Sequence, residues 1–89
     1  MADIRINPAE VEGVGGQFNT KAGELDGLIQ QANSMMNNLR STFTGNRANK
    51  AYGEWEGMQT NLRNAVEVLN QASRTLKDAA SAFAAVDGG

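Results

Sequence analysis

Two stretches of this 89-residue sequence have the outline of chemistry: the carboxylates Glu54 and Glu56, two residues apart, and the run Gly13-Val14-Gly15-Gly16. Neither has the surroundings that chemistry needs. Residues two apart on a helix point to different faces, so Glu54 and Glu56 cannot act as an acid-base pair if this stretch is helical. A phosphate-cradling glycine loop lies between a strand and a helix, whereas Gly13 to Gly16 fall inside a helical pattern. There is no Cys and no His, which removes thiol nucleophiles, disulfides, zinc ligands of those types and imidazole acid-base catalysis. The Ser and Thr hydroxyls lack a histidine to activate them and have only lysine as a conceivable base. The sequence therefore reads as non-enzymatic, with no cofactor, and its informative features are structural.

Eight Lys and Arg stand against ten Asp and Glu, a net charge of −2. The charges are scattered and form no basic stripe, so nucleic acid is a poor partner. The N-terminal residues carry no apolar run of signal-peptide length, and nothing approaches the roughly 20 apolar residues of a spanning helix. A chain this short exposes much of its surface and has a marginal core of its own, which points to a partner or a second copy.

The only proline is Pro8, and no run alternates as a strand would. A helix is expected to begin there. Asn7 can cap, Pro8 suits the first helical position, Glu10 suits the first turn, and Ile6 and Val11 can form a staple. From that start Val11, Val14, Phe18, Ala22, Leu25, Ile29, Ala32, Met36, Leu39 and Phe43 recur at steps of three and four. A second stripe runs through Ala48, Ala51, Trp55, Met58, Leu62, Ala65, Leu69, Ala72, Leu76, Ala79, Phe83 and Val86. Its unbroken alternation of three and four is a heptad seam.

Two aromatic-x-Gly triplets compete for the turn between the stripes, Phe43-Thr44-Gly45 and Trp55-Glu56-Gly57. A turn at Gly57 would cut the second seam, whereas one at Gly45 leaves two arms of matched length with a glycine free to take positive φ. The expectation is one all-α domain over residues 1–89. It is an antiparallel helical hairpin, with helix 1 about 8–42, a turn about 43–46, and helix 2 about 47–86. Thr44 and Asn46 are candidate caps for helix 2. The helix-helix seam is expected to hold Phe18, Leu25, Ile29, Met36 and Leu39 against Trp55, Met58, Leu62, Leu69 and Leu76. A weaker apolar line including Leu28, Met35, Tyr52, Val66 and Ala80 wants another cover, so two hairpins should pair as a four-helix bundle. Gly13, Gly15, Gly16, Gly23 and Gly27 cost the first helix about 1 kcal/mol each relative to alanine. They read either as a floppy arm or as close helix approach at a dimer interface.

This layout resembles the WXG superfamily, the early-secreted-antigen-like substrates of type VII (ESX) secretion. The likeness rests on the leader Ile4-Arg5-Ile6-Asn7-Pro8-Ala9-Glu10-Val11, the triplet Phe43-Thr44-Gly45 between matched seams, and Tyr52 and Trp55 early in the second helix. Phe43 stands where the family has tryptophan, and Trp55 to Gly57 is in register with the family's downstream aromatic. The resemblance implies a secreted, dimeric helical hairpin, made in the cytoplasm and exported without a cleavable signal peptide by an FtsK-type ATPase. It implies a partner that is a second copy or a related hairpin, and an effector or escort role. It also implies an export signal of aromatic-x-x-x-acid form, for which Phe83-Ala84-Ala85-Val86-Asp87 has the spacing but not the tyrosine hydroxyl. Phe83 equally fits the seam. An intracellular coiled-coil adaptor is the alternative. A membrane-surface role fits poorly with a slightly acidic chain whose apolar faces are rich in alanine.

Overall fold

The computed structural model describes residues 7–87, with side-chain surroundings over residues 7–83. Ile6 of the expected staple lies outside the described residues, as do the side chains of Val86 and Asp87. Two helices make up the fold, α1 (Pro8–Leu39) and α2 (Asn46–Asp87). They pack side by side as a rod with extents of 65 × 22 × 15 Å. Among the described residues there is no strand.

Helix α1 starts where its backbone donors are satisfied. Asn7 has extended backbone and its Oδ1 accepts from the N–H groups of Ala9 (3.1 Å) and Glu10 (3.3 Å), while Pro8 brings no N–H to satisfy.

The helix ends at Leu39, three residues short of the expected 42. Apolar spacing could not reveal this, because the chain keeps winding after the regular bonds stop. The Phe43 N–H still reaches the Leu39 carbonyl at 2.8 Å, and the Thr42 N–H reaches it at 3.0 Å. Phe43 therefore keeps its place on the stripe while lying outside the helix. Gly45 follows with φ +110°, a conformation that costs a glycine little and a residue with a Cβ much more. Its carbonyl accepts from the Asn49 N–H at 2.9 Å. Gly45 thus takes the capping position of α2 that Thr44 or Asn46 was expected to fill.

The line of closest contact differs from the apolar stripes. In α1 the buried residues are Gly15, Ala22 and Ile29, spaced by seven. In α2 they include Tyr52, Ser73 and Ala80, which lie on another grid of seven, together with Ala48. The seven-residue recurrence is that of a left-handed pair, but most of the residues at closest approach are small. Gly15 shows why. A Cβ there would lie 3.2 Å from the Ser73 carbonyl oxygen and 3.4 Å from Leu76 Cβ, so the two backbones meet at this point only because α1 has no side chain.

The expected seam is corrected accordingly. Ile29 is in the centre at 2 % exposure, and Phe18, Leu25, Met36, Trp55, Leu62, Leu69 and Leu76 are half-buried beside it. Leu39 and Met58 are exposed at 41 % and 51 %, and Val14 and Phe43 are exposed as well. Conversely Tyr52 and Ala80, expected to await another cover, are buried inside the hairpin. Large side chains cannot occupy the line where the helices are closest, so they rotate to its edge. One of the five glycines has a role inside the single hairpin. Gly15 serves close approach within the hairpin itself, whereas a Cβ at Gly13, Gly16, Gly23 or Gly27 would meet nothing within 4 Å.

Candidate interaction surfaces: the turn and the apolar side

Placing small residues in the seam gives the hairpin two unlike sides. Next to the buried grid of α1, one side carries Phe18, Leu25, Ala32 and Leu39, with Val14, Leu28 and Met35 beyond them. The other carries Glu12, Asn19, Asp26 and Asn33 at the equivalent offset. On α2, Trp55, Leu62, Leu69 and Leu76 flank the same apolar side, with Met58, Ala65 and Ala72 beyond. That these rows share one side is direct: Phe18 of α1 and Val68, Ala72 and Leu76 of α2 line one open groove. A second groove, on the opposite side, is lined by Asn19, Gly23, Asp26 and Asn70. Leu28, Met35 and Val68 are exposed at 60 %, 70 % and 62 %. Exposed large residues gathered on one side of a rod mark an interaction face, whereas singly scattered ones would not.

The turn is a second built feature. Tyr52, one and a half turns into α2, sits under the loop and donates its hydroxyl to the Phe43 carbonyl (2.5 Å). The Phe43 ring meets the Tyr52 ring edge-on with centroids 6.2 Å apart, and the Arg40 guanidinium lies over it, 4.4 Å from the centroid. Arg40 also reaches Glu56 at 3.5 Å. Burying an aromatic body while giving its polar tip a partner stabilises the loop without an orphaned hydroxyl. The structure thus brings Phe43 and Gly45 of the expected turn motif to the loop and ties Phe43 to Tyr52. Sequence reasoning did not find this contact; the nine-residue interval between the two aromatics across a loop was the available signal.

A third group bridges the helices. Asn33 Oδ1 accepts from Trp55 Nε1 (3.3 Å) and Gln59 Nε2 (2.7 Å). This part-buried polar node was also missed, since neither Asn33 nor Gln59 belongs to an apolar stripe. Trp55 is therefore shared: its ring lies at the edge of the apolar side and its N–H is held from within.

At the far end, Phe83 is half-buried, and the side chain of Asp87 lies outside the described residues. Glu54 and Glu56 are both exposed, with Glu56 paired to Arg40. Among the described residues no three acidic side chains converge as a metal site would need, and no helix is long and apolar enough to cross a membrane.

Comparison with known proteins places this architecture. The chain superposes on the crystal structure of the secreted protein EsxB from Bacillus anthracis strain Sterne with a TM-score of 0.86. The two are 30 % identical over 98 % of this chain and 99 % of that one. The wild-type protein in a P21 lattice gives a TM-score of 0.85 at 30 % identity, covering 93 % and 96 %. EsxA of Geobacillus thermodenitrificans has the same fold at 21 % identity, with a TM-score of 0.85 and coverage of 97 % and 94 %. No curated protein matches by sequence. The family model described as proteins of 100 residues with WXG spans residues 3–88, and with nearly the whole chain inside that match the protein belongs to the WXG100 family.

Proposed function

We propose that this chain is a non-enzymatic substrate of a type VII (ESX) secretion system, exported as a folded helical hairpin paired with another hairpin. The observation that carries the reading is the one-sided apolar face on a hairpin of this family. A two-helix rod whose large side chains lie at the edge of its own seam is completed by a partner laid over that edge. The likeness to the secreted protein EsxB supports export, and the pairing supplies the four-helix bundle as the exported unit. In this reading an FtsK-type ATPase drives export, and the protein acts outside the cell as an effector or as the escort of another substrate. The Phe43-Thr44-Gly45 turn and the Phe83 to Asp87 segment are the proposed points of recognition. On a helix, positions four apart share a face, so an aromatic with an acid one turn further on forms a compact handle for a receptor groove.

The test is detection of the untagged protein in the culture medium of its native host, with and without the FtsK-type ATPase, against a cytosolic lysis marker. Export that depends on the ATPase is expected, together with its loss in Phe83→Ala and Asp87→Ala. Retention in the cell while the system exports other substrates would overturn the reading in favour of an intracellular adaptor.

A further inference from the structure

We propose that Met35 and Met58 are an oxidant-sensitive pair: a peroxide converts both thioethers to sulfoxides, which turns the apolar side polar and loosens its hold on an apolar surface while the hairpin stays folded. The effect on pairing rests on the paired-hairpin reading above, whereas the modification does not.

The Asn33 node fixes where the two methionines lie. Gln59 of α2 donates to Asn33 of α1 at 2.7 Å. Met35 is two residues nearer the turn than Asn33, and Met58 is one residue nearer the turn than Gln59. The two methionines are therefore level to within about 1.5 Å, the rise of one residue. They belong to the outer apolar rows of α1 and α2 and flank the seam on one side. Met35 is exposed at 70 % and Met58 at 51 %. Among the described residues the remaining methionine is Met36, and its place differs. It continues the grid of Gly15, Ala22 and Ile29 along the line of closest approach and is half-buried.

The chain has no cysteine, so no thiolate competes for a peroxide and the thioethers are its only oxidisable sulfur. The sulfur lone pair attacks one peroxide oxygen, the S–O bond forms as the O–O bond breaks, and the second oxygen leaves with the protons as water. Sulfur loses two electrons and the peroxide gains them. A methionine sulfoxide reductase supplied with a dithiol reverses the change. The product is a polar, chiral group in place of a flexible apolar one. At Met35 and Met58 the new oxygen stays in water, so the hairpin loses little, but two large side chains of the apolar side become polar at one level. At Met36 the same oxygen would enter the seam without a partner, and a buried unsatisfied polar group is costly. The difference in exposure directs the modification to the positions where the fold tolerates it.

The full chain is treated with hydrogen peroxide and followed by peptide mass spectrometry, circular dichroism and retention on a phenyl resin, which stands in for an apolar partner surface. Met35 and Met58 are expected to oxidise several-fold faster than Met36 in the native protein, and all three to react alike in the urea-unfolded chain. Helix content is expected to hold while retention on the resin falls, and a methionine sulfoxide reductase with dithiothreitol should restore it. The double variant Met35→Leu with Met58→Leu, a pair of exchanges at similar volume, should be retained with or without peroxide. Met35→Gln with Met58→Gln should elute early without any. Oxidation of Met36 as fast as the other two, or peroxide-dependent loss of retention in the double leucine variant, overturns the proposal. Unchanged retention after both methionines have reacted overturns it as well. Protection of Met35 and Met58 down to the rate of Met36 also overturns it, by showing that side already covered, and the paired-hairpin reading survives that result. That reading fails instead by the secretion assay, which leaves the order of oxidation untouched.

Discussion

Replacing Gly15 and Gly23 separately by alanine isolates what the close contact between the helices contributes. Both are interior positions of α1, so each substitution gains the helix propensity that separates alanine from glycine, about 1 kcal/mol. At Gly23 nothing lies within 4 Å of the new Cβ, and the gain stands alone. At Gly15 the Cβ would lie 3.1 Å from Lys77 Cγ, 3.2 Å from the Ser73 carbonyl oxygen and 3.4 Å from Leu76 Cβ. The lysine stem can swing aside, but the Ser73 carbonyl is backbone and the Leu76 Cβ is fixed directly to it, so neither moves without α2. Opening that contact is an overpacking cost of about 1–3 kcal/mol, which cancels or exceeds the gain. Gly23→Ala should therefore raise the melting temperature by roughly 4–8 °C on the scale of about 4–8 °C per kcal/mol for a domain of this size. Gly15→Ala should leave it unchanged or lower it, so that the variants differ by about 1–3 kcal/mol. Thermal melts followed by circular dichroism decide the matter, with all proteins at one concentration so that any concentration dependence of the midpoint is common to them. If Gly15→Ala were as stabilising as Gly23→Ala, the helices would not be in backbone contact at this level, and the account of why large residues lie at the edge would fail.

The turn offers two further tests. Tyr52→Phe deletes the hydroxyl that holds the Phe43 carbonyl and should cost about 0.5–1.5 kcal/mol in urea titrations, with faster amide exchange at Thr42 and Phe43. Gly45→Val should cost about 1–3 kcal/mol by thermal melt because φ is +110° there. Gly45→Asn should cost less, since asparagine tolerates positive φ better, and equal losses would show that bulk rather than backbone conformation is at issue.

How much of this fold could be read in the sequence follows from which physical quantity each feature depends on. The hairpin was legible because it depends on apolar recurrence and on one glycine between two long stripes. The start of α1 was legible because Asn7 and Pro8 form a local signal. The end of α1 was not, since bonds from Thr42 and Phe43 back to Leu39 prolong the winding without lengthening the helix. The line of closest approach was misread for a different reason. Apolar stripes rank residues by transfer free energy, but the contact of two backbones selects for size, and Gly15, Ala22, Ser73 and Ala80 are small before they are apolar. Their spacing of seven on each helix was the signal available. Tyr52 and the Asn33 node were missed because cross-helix hydrogen bonds leave no periodicity behind.

Asn33 has a consequence beyond its own bonds. Apolar edges alone define helix register weakly, because sliding one heptad seam by seven residues again places apolar on apolar. A polar node that must find Trp55 Nε1 and Gln59 Nε2 together singles out one register, as buried polar groups do in coiled coils. That register also sets Gly15 against Ser73 and Asp26 against Arg63. A seven-residue slip would displace the apolar rows of α1 and α2 by about 10 Å relative to each other and part the Asp26–Arg63 pair. Asn33→Leu should therefore weaken the hairpin and its register together. Within the hairpin it strands the Trp55 N–H and the Gln59 amide, which costs about 1–3 kcal/mol, toward the low end because the site is only part-buried. Helix content by circular dichroism should be retained while the urea midpoint falls. An unchanged urea midpoint would show that the node does not hold the register.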